Sequence, residues 1–152
     1  MKEFSVQEIL EFSRSIEMES YTYYTHVEQI AVESELKELA SALAAEEMKH
    51  YNRMNQFLEE NKLTKEELDE QVRVAKSDHA MLIETREIPE HPTSLAILER
   101  AYDREVHTGN MYRTLLAYTN LSADLVATFE DLVDQEEGHA KRIDSLIRKI
   151  GG

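Results

Sequence analysis

The sequence predicts an all-α protein: a four-helix bundle of two helical hairpins joined by a long crossover that contains a short helix. Three observations carry that expectation. The 152 residues include only 4 glycines and 2 prolines, little material for turns, while the good helix formers Ala, Leu, Glu and Lys are plentiful. Apolar residues recur in steps of three and four through four long segments. A set of side chains is also written twice, Glu17, Glu47 and His50 in the first half and Glu105, Glu136 and His139 in the second, with each member inside an apolar stripe. At this length a single domain over 1–152 has room for a core, and two domains do not.

Ser5 followed by Glu8 makes a capping box that opens the first helix, residues 5–32. Its inward seam reads Leu10, Ser13, Glu17, Ser20, Tyr24, Val27. The second helix, 34–61, has the seam Leu36, Ala40, Leu43, Glu47, His50, Met54, Phe57. In the crossover, 62–93, Thr64 and Glu67 form another capping box and start a short helix to about residue 76. Ile88-Pro89 and His91-Pro92 then impose extended backbone. The third helix, 94–119, gives Leu98, Tyr102, Glu105, Thr108 or Gly109, Tyr112, Leu115. The fourth, 122–150, begins at Ser122 with Asp124 in its first turn and reads Leu125, Phe129, Leu132, Glu136, His139, Ile143, Leu146, Ile150. Short connections make helices one and two, and three and four, antiparallel pairs.

With 17 basic against 31 acidic residues the formal charge is −14, which argues against nucleic acid and against an anionic membrane surface as partners. No apolar run reaches the roughly 18 residues of a membrane span and no signal-peptide pattern opens the chain, so a cytoplasmic protein is expected. The absence of cysteine excludes disulfides and thiolate ligation. Any metal must be held by oxygen and nitrogen.

Glu17 and Glu105 lie 88 residues apart, as do Tyr24 and Tyr112, while Glu47 and Glu136 lie 89 apart, as do His50 and His139. That constancy indicates an internal duplication. One Glu from each of two helices plus a Glu-x-x-His pair from each of two others is a ligand set by which a four-helix bundle holds two metal ions. Energetics favours the same reading. An unpaired buried carboxylate costs several kcal/mol, so four would offset the whole net stability of a domain, about 5–15 kcal/mol. Two divalent ions neutralise four carboxylates, and two neutral imidazoles complete the set. Such ligands suit iron, with Mn or Zn able to substitute. The metal ligands expected are therefore Glu17, Glu47, His50, Glu105, Glu136 and His139. Tyr24 and Tyr112 follow a Glu by seven residues, two helical turns, and are expected beside Glu17 and Glu105 to orient a carboxylate by hydrogen bonding. His26, His79, His91 and His107 read as solvent-facing or capping residues. Glu46 and Glu137 sit about 100° round the helix from the ligands and read as solvated or as supporting a ligand from outside, and Met48, Met54, Met81 and Met111 read as core filler.

These motifs resemble those of the rubrerythrins, or erythrins, of the ferritin-like superfamily, whose hallmark is two copies of Glu-x6-Tyr and Glu-x-x-His. Glu136-Glu137-Gly138-His139-Ala140-Lys141-Arg142 is also similar to the family's fourth-helix segment. The resemblance implies a ferritin-like bundle and a non-haem di-iron centre that reduces hydrogen peroxide or dioxygen, with the six residues above as ligands, in a homodimer. Two departures stand out. The cysteines of an appended rubredoxin domain are missing, so electrons are expected from a separate donor such as a rubredoxin-like protein. Thr108 also stands where many members carry an additional carboxylate, which brings the site closer to the four-Glu, two-His set of bacterioferritin-like proteins. A ferroxidase or iron-storage protein is the alternative reading, and a metal-binding structural bundle without catalysis the second alternative.

Overall fold

Ser5 opens the first helix by reciprocal pairing: its hydroxyl accepts from the Glu8 N–H at 3.0 Å, and its own N–H donates to the Glu8 carboxylate at 3.0 Å. In the computed structural model, which describes residues 2–60, 62–74, 92–117 and 122–151, this helix is α1 (Val6–Ile30). After it come α2 (Ser34–Glu59), the short α3 (Lys65–Asp69), α4 (Ser94–Ala117) and α5 (Ala123–Gly151), with two four-residue strands, β1 (Lys2–Ser5) and β2 (Gln71–Val74). The protein is an all-α bundle, as its periodicity predicts. Among the described residues no helix is long and apolar enough to cross a membrane.

Helix α1 packs along α2 and α4 along α5, and the two pairs meet through α2 against α5 and α1 against α4. Side-chain contacts fix the directions. Arg14 reaches Asn55 and Glu59 near the end of α2. Lys149 near the end of α5 reaches Glu35 near the start of α2, and Arg53 meets Asp131. Every neighbouring pair is thus antiparallel, so α2 and α4 run the same way. Glu59 and Ser94 consequently lie at opposite ends of the bundle, Ser94 hydrogen-bonded to Glu33 beside the start of α2.

The crossover departs from its predicted course. The Thr64–Glu67 capping box forms as expected, but α3 stops at Asp69 rather than near residue 76. From Gln71 the chain is extended and pairs antiparallel with β1, from Lys2 opposite Val74 to Ser5 opposite Gln71. The reason lies in the side chains. Gln71-Val72-Arg73-Val74 alternates polar and β-branched residues, a pattern of period two that suits a strand; Val72 is buried and Arg73 pairs with Glu3 at 3.0 Å. The extension expected at Ile88-Pro89 and His91 falls outside the described residues, as do His79, Met81 and the end of the predicted third helix at 118–119.

Two apolar clusters fill the bundle, one at each end. Leu10, Met54, Phe57, Tyr112, Phe129 and Leu132 belong to the first, and Tyr24, Val27, Leu43, Leu98, Ala101 and Ile143 to the second. Along all four long helices the members of the two clusters flank the same few polar positions, so a polar layer crosses the middle of an apolar core. Two expected core residues are not in it. Tyr102 is 37% exposed and Ile150 36%: Ala101 takes the buried place on α4, since four residues before Glu105 it lies about 40° round the helix from that side chain, whereas Tyr102 lies about 60° away on the other side. Of the methionines expected as filler, Met54 and Met111 are fully buried and Met48 only half-buried.

Candidate metal centre

The polar layer consists of Glu17 from α1, Glu47 and His50 from α2, Glu105 from α4, and Glu136 and His139 from α5, and none is more than 3% exposed. The spacing of three within each Glu-x-x-His places both side chains on one helix face. Both rings turn Nδ1 inward. His50 Nδ1 lies 3.2 Å from Glu136, 3.3 Å from Glu17 and 3.9 Å from Glu47. His139 Nδ1 lies 3.1 Å from Glu47, 3.5 Å from Glu105 and 3.8 Å from Glu136. The two lists correspond member by member under the duplication, and the rings are parallel with centroids 5.8 Å apart.

Glu17, Glu47, His50 and Glu136 form one group whose ligand atoms lie within 4.8 Å of one another, and Glu47, Glu105, Glu136 and His139 form another. Either group could hold a metal ion. Glu47 and Glu136 belong to both. The donor set is four carboxylates and two imidazoles, the hard oxygen and borderline nitrogen donors that divalent first-row metals accept. Several of these atoms, though close to one another, have no well-aligned hydrogen bond among the described residues: both oxygens of Glu47, one each of Glu105 and Glu136, and both ring nitrogens of His139. Buried polar atoms are normally satisfied, so this concentration of orphans is what a cation-binding cavity presents.

Without a cation, protons balance the charge. Burial, followed by the negative charge of neighbouring glutamates, pushes the Glu47 and Glu136 carboxyls well above the usual range. Burial also opposes ionisation of Glu17 and Glu105. There it is outweighed: Glu47, His50 and Tyr112 hold Glu17 below its ordinary value, and Glu136, His139 and Tyr24 do the same for Glu105. Burial disfavours the charged imidazoles, yet Glu17 pushes His50 up to about 9 and Glu105 raises His139 further. Two neutral acids, two carboxylates and two imidazolium rings sum to zero.

The tyrosines do hydrogen-bond the carboxylates, but not on the expected side. Tyr24 donates to Glu105 at 2.5 Å and Tyr112 to Glu17 at 2.6 Å, each across to the other hairpin. Seven residues along a helix is a rise of about 10.5 Å, too far for a phenol to reach its own helix's Glu, whereas the antiparallel neighbour brings the other within range. His26 is exposed and His107 half-buried off the seam. Glu137 is exposed and pairs with Arg113. Glu46, in contrast, lies 3.3 Å from His139 Nε2. Sequence reasoning missed Gln135, whose amide oxygen sits 2.6 Å from His50 Nε2; the signal was present, since Gln135 stands 89 residues after Glu46. A groove of about 300 Å³ between α4 and α5, lined by Gly109, Arg113 and Lys141 among others, reaches Glu105 and Glu136 from the surface.

No family model matches the chain, and no curated protein matches it. Fold and site together define the class: an all-α bundle with a buried Glu/His cluster that could hold a metal ion.

Proposed function

We infer that this chain is a ferritin-like, non-haem di-iron oxidoreductase that reduces hydrogen peroxide or dioxygen. The observation that carries this reading is the pair of four-residue groups sharing Glu47 and Glu136, since shared carboxylates are what a bridged pair of ions requires. A bound pair of redox-active ions would supply two electrons to the oxygen–oxygen bond. The rest is work for the protein's own side chains. Glu17 with His50, and Glu105 with His139, would each hold one ion, with Glu47 and Glu136 between them. Tyr112 and Tyr24 fix the orientation of Glu17 and Glu105 by short hydrogen bonds. Leu43, Phe129 and Leu132, all fully buried beside the polar layer, keep bulk water out, and the α4–α5 groove admits a small molecule to Glu105 and Glu136. Electrons come from a separate donor such as a rubredoxin-like protein, and the assembly proposed is a cytoplasmic homodimer.

The test is iron content together with peroxide consumption by the ferrous-loaded, anaerobic protein. One peroxide consumed for roughly every two irons, as two electrons per O–O bond demand, supports the reading; iron that stays ferrous in excess peroxide ends it. The formal charge of −14 favours a second reading, ferroxidation for iron storage, because an acidic surface concentrates cations. Light scattering separates the two, a dimer pointing to the enzyme and a large hollow assembly to storage.

A further inference from the structure

We propose that the two cation positions of this centre are unequal, the one at His139 filling first, because the ring of His139 faces the carboxylate of Glu46 where that of His50 faces the amide of Gln135. The inference rests on the reading that the cluster binds two divalent ions. Glu46 and Gln135 occupy the same place in the duplicated unit, 46 to 135 being the offset of 47 to 136 and 50 to 139. Arg53 and Arg142 are a matching pair at the same offset. The surroundings of the two rings are therefore one design changed at two places, Glu46 against Gln135 next to the ring and, one step further out, Ala42 against Asp131.

With Nδ1 of each ring turned to the ligand cluster, a cation there leaves Nε2–H to the outer partner. A cation draws electron density from the ring and makes that N–H a stronger donor, so the nature of the acceptor feeds back on affinity: an outer carboxylate raises the basicity of the ligating nitrogen and fixes the ring. His139 has such an acceptor, Glu46 Oε2 at 3.3 Å, held in place by Arg142 at 2.9 Å. The contact is an ion-pair approach in the metal-free arrangement, not an aligned hydrogen bond. His50 instead has the neutral Gln135 oxygen at 2.6 Å. On that side the negative charge lies one residue further out, on Asp131, which accepts from Gln135 at 2.8 Å and pairs with Arg53 at 2.6 Å as Glu46 pairs with Arg142. The Gln135 contact is shorter and better aligned, but a hydrogen bond to an ionised acceptor is roughly twice as strong as one between neutral groups, so charge decides in favour of His139. The groove between α4 and α5 opens on Glu105 and Glu136, two members of the same group, so the favoured position is also the one with a path from the surface.

Titration of the metal-free protein with Zn²⁺ by calorimetry reads the difference directly. Two steps are expected, the first roughly tenfold tighter, the size of effect that an outer partner has on metal affinity. Substoichiometric Mn²⁺, followed by proton NMR, broadens the ring signals of His139 before those of His50. Glu46→Gln merges the two steps by weakening the first, and Gln135→Glu merges them by tightening the second. Equal steps in the wild type, a split that survives Glu46→Gln, or earlier broadening of His50 overturns the proposal. Failure to take up any Zn²⁺ is a different result: it removes the metal-centre reading, and this inference with it.

Discussion

Glu47 and Glu17 share one buried layer but hold opposite charge states in the metal-free protein, and substitutions tell them apart. Burial and the surrounding carboxylates keep the Glu47 carboxyl protonated, so Glu47→Gln replaces a neutral group by a neutral isostere. Its expected cost to the metal-free protein at pH 7 is below about 1.5 kcal/mol, that of a volume-conserving change. The same substitution removes a carboxylate common to both ligand groups and should abolish most of the rise in melting temperature that divalent cations give. Glu17 is ionised, held by His50 at 3.3 Å and Tyr112 at 2.6 Å. Glu17→Gln strips His50 of its counter-charge and is expected to cost about 3–5 kcal/mol, the effect of breaking a buried pair. Tyr112→Phe, which removes one donor to an ionised acceptor, should cost about 1.5–3 kcal/mol. Denaturant melts of the metal-free variants order the three, and a Glu47→Gln protein as unstable as Glu17→Gln contradicts the charge assignment.

At the scale of the element, α4 and α5 each carry a glycine in mid-helix, where glycine weakens a helix by about 0.5–1 kcal/mol relative to alanine. A Cβ on Gly138 would meet nothing within 4 Å, so Gly138→Ala should stabilise by that amount, read as an upward shift in a thermal melt. A Cβ on Gly109 would touch the Glu136 Cβ at 3.6 Å, an ordinary contact, so alanine fits there as well. Leucine at 109 would reach into the groove that leads to Glu105 and Glu136. Gly109→Leu is expected to slow cation uptake, followed by stopped-flow absorbance with Co²⁺, while Gly138→Ala leaves the rate unchanged. The four long helices and their six inward Glu and His residues were legible in the sequence because period and duplication are local, repeated signals. The β1–β2 pairing was not: two four-residue strands some seventy positions apart carry no local mark of each other. Nor was the crossing of the tyrosines, which depends on how one hairpin docks on the other. Tyr102 was misplaced for a geometric reason, since Ala101, four residues before Glu105, and Tyr102, three before it, lie on either side of the seam and spacing alone does not resolve which one is buried.

For the whole molecule, proton balance in the core predicts opposite pH dependences with and without cations. Glu47 and Glu136 keep protons in the fold at pH values where the unfolded chain, with an ordinary value of 4.5, has lost them. The folded state then binds more protons than the unfolded one, so stability falls as pH rises above about 4.5. His50 acts in the same direction: its contribution is complete below 6.5 and is lost as pH rises through about 9. Glu17 and Glu105, held below 4.5, contribute stability that is present above that value and lost as pH falls further. The metal-free protein should therefore be most stable near pH 4.5–5 and weaken steadily towards pH 9. The excess of acidic over basic residues on the surface adds self-repulsion in the same sense, so Glu47→Gln with Glu136→Gln, which removes only the buried contribution, should flatten the profile without making it level. Cation binding displaces two protons from the carboxyls and two from the imidazoles, four in all for a pair of divalent ions. Affinity must then climb steeply with pH. At a free cation concentration about 100 times Kd the gain is about 2.7 kcal/mol, and at fixed cation concentration the gap between the two melting curves should be small at pH 5 and widen to pH 8. Melting temperatures measured across that interval with chelator and with Zn²⁺ give both curves, and calorimetry in buffers of different ionisation enthalpy counts the protons released. A metal-free profile that is level or rising between pH 5 and 8, or cation uptake without proton release, would mean that protons are not what holds this core neutral.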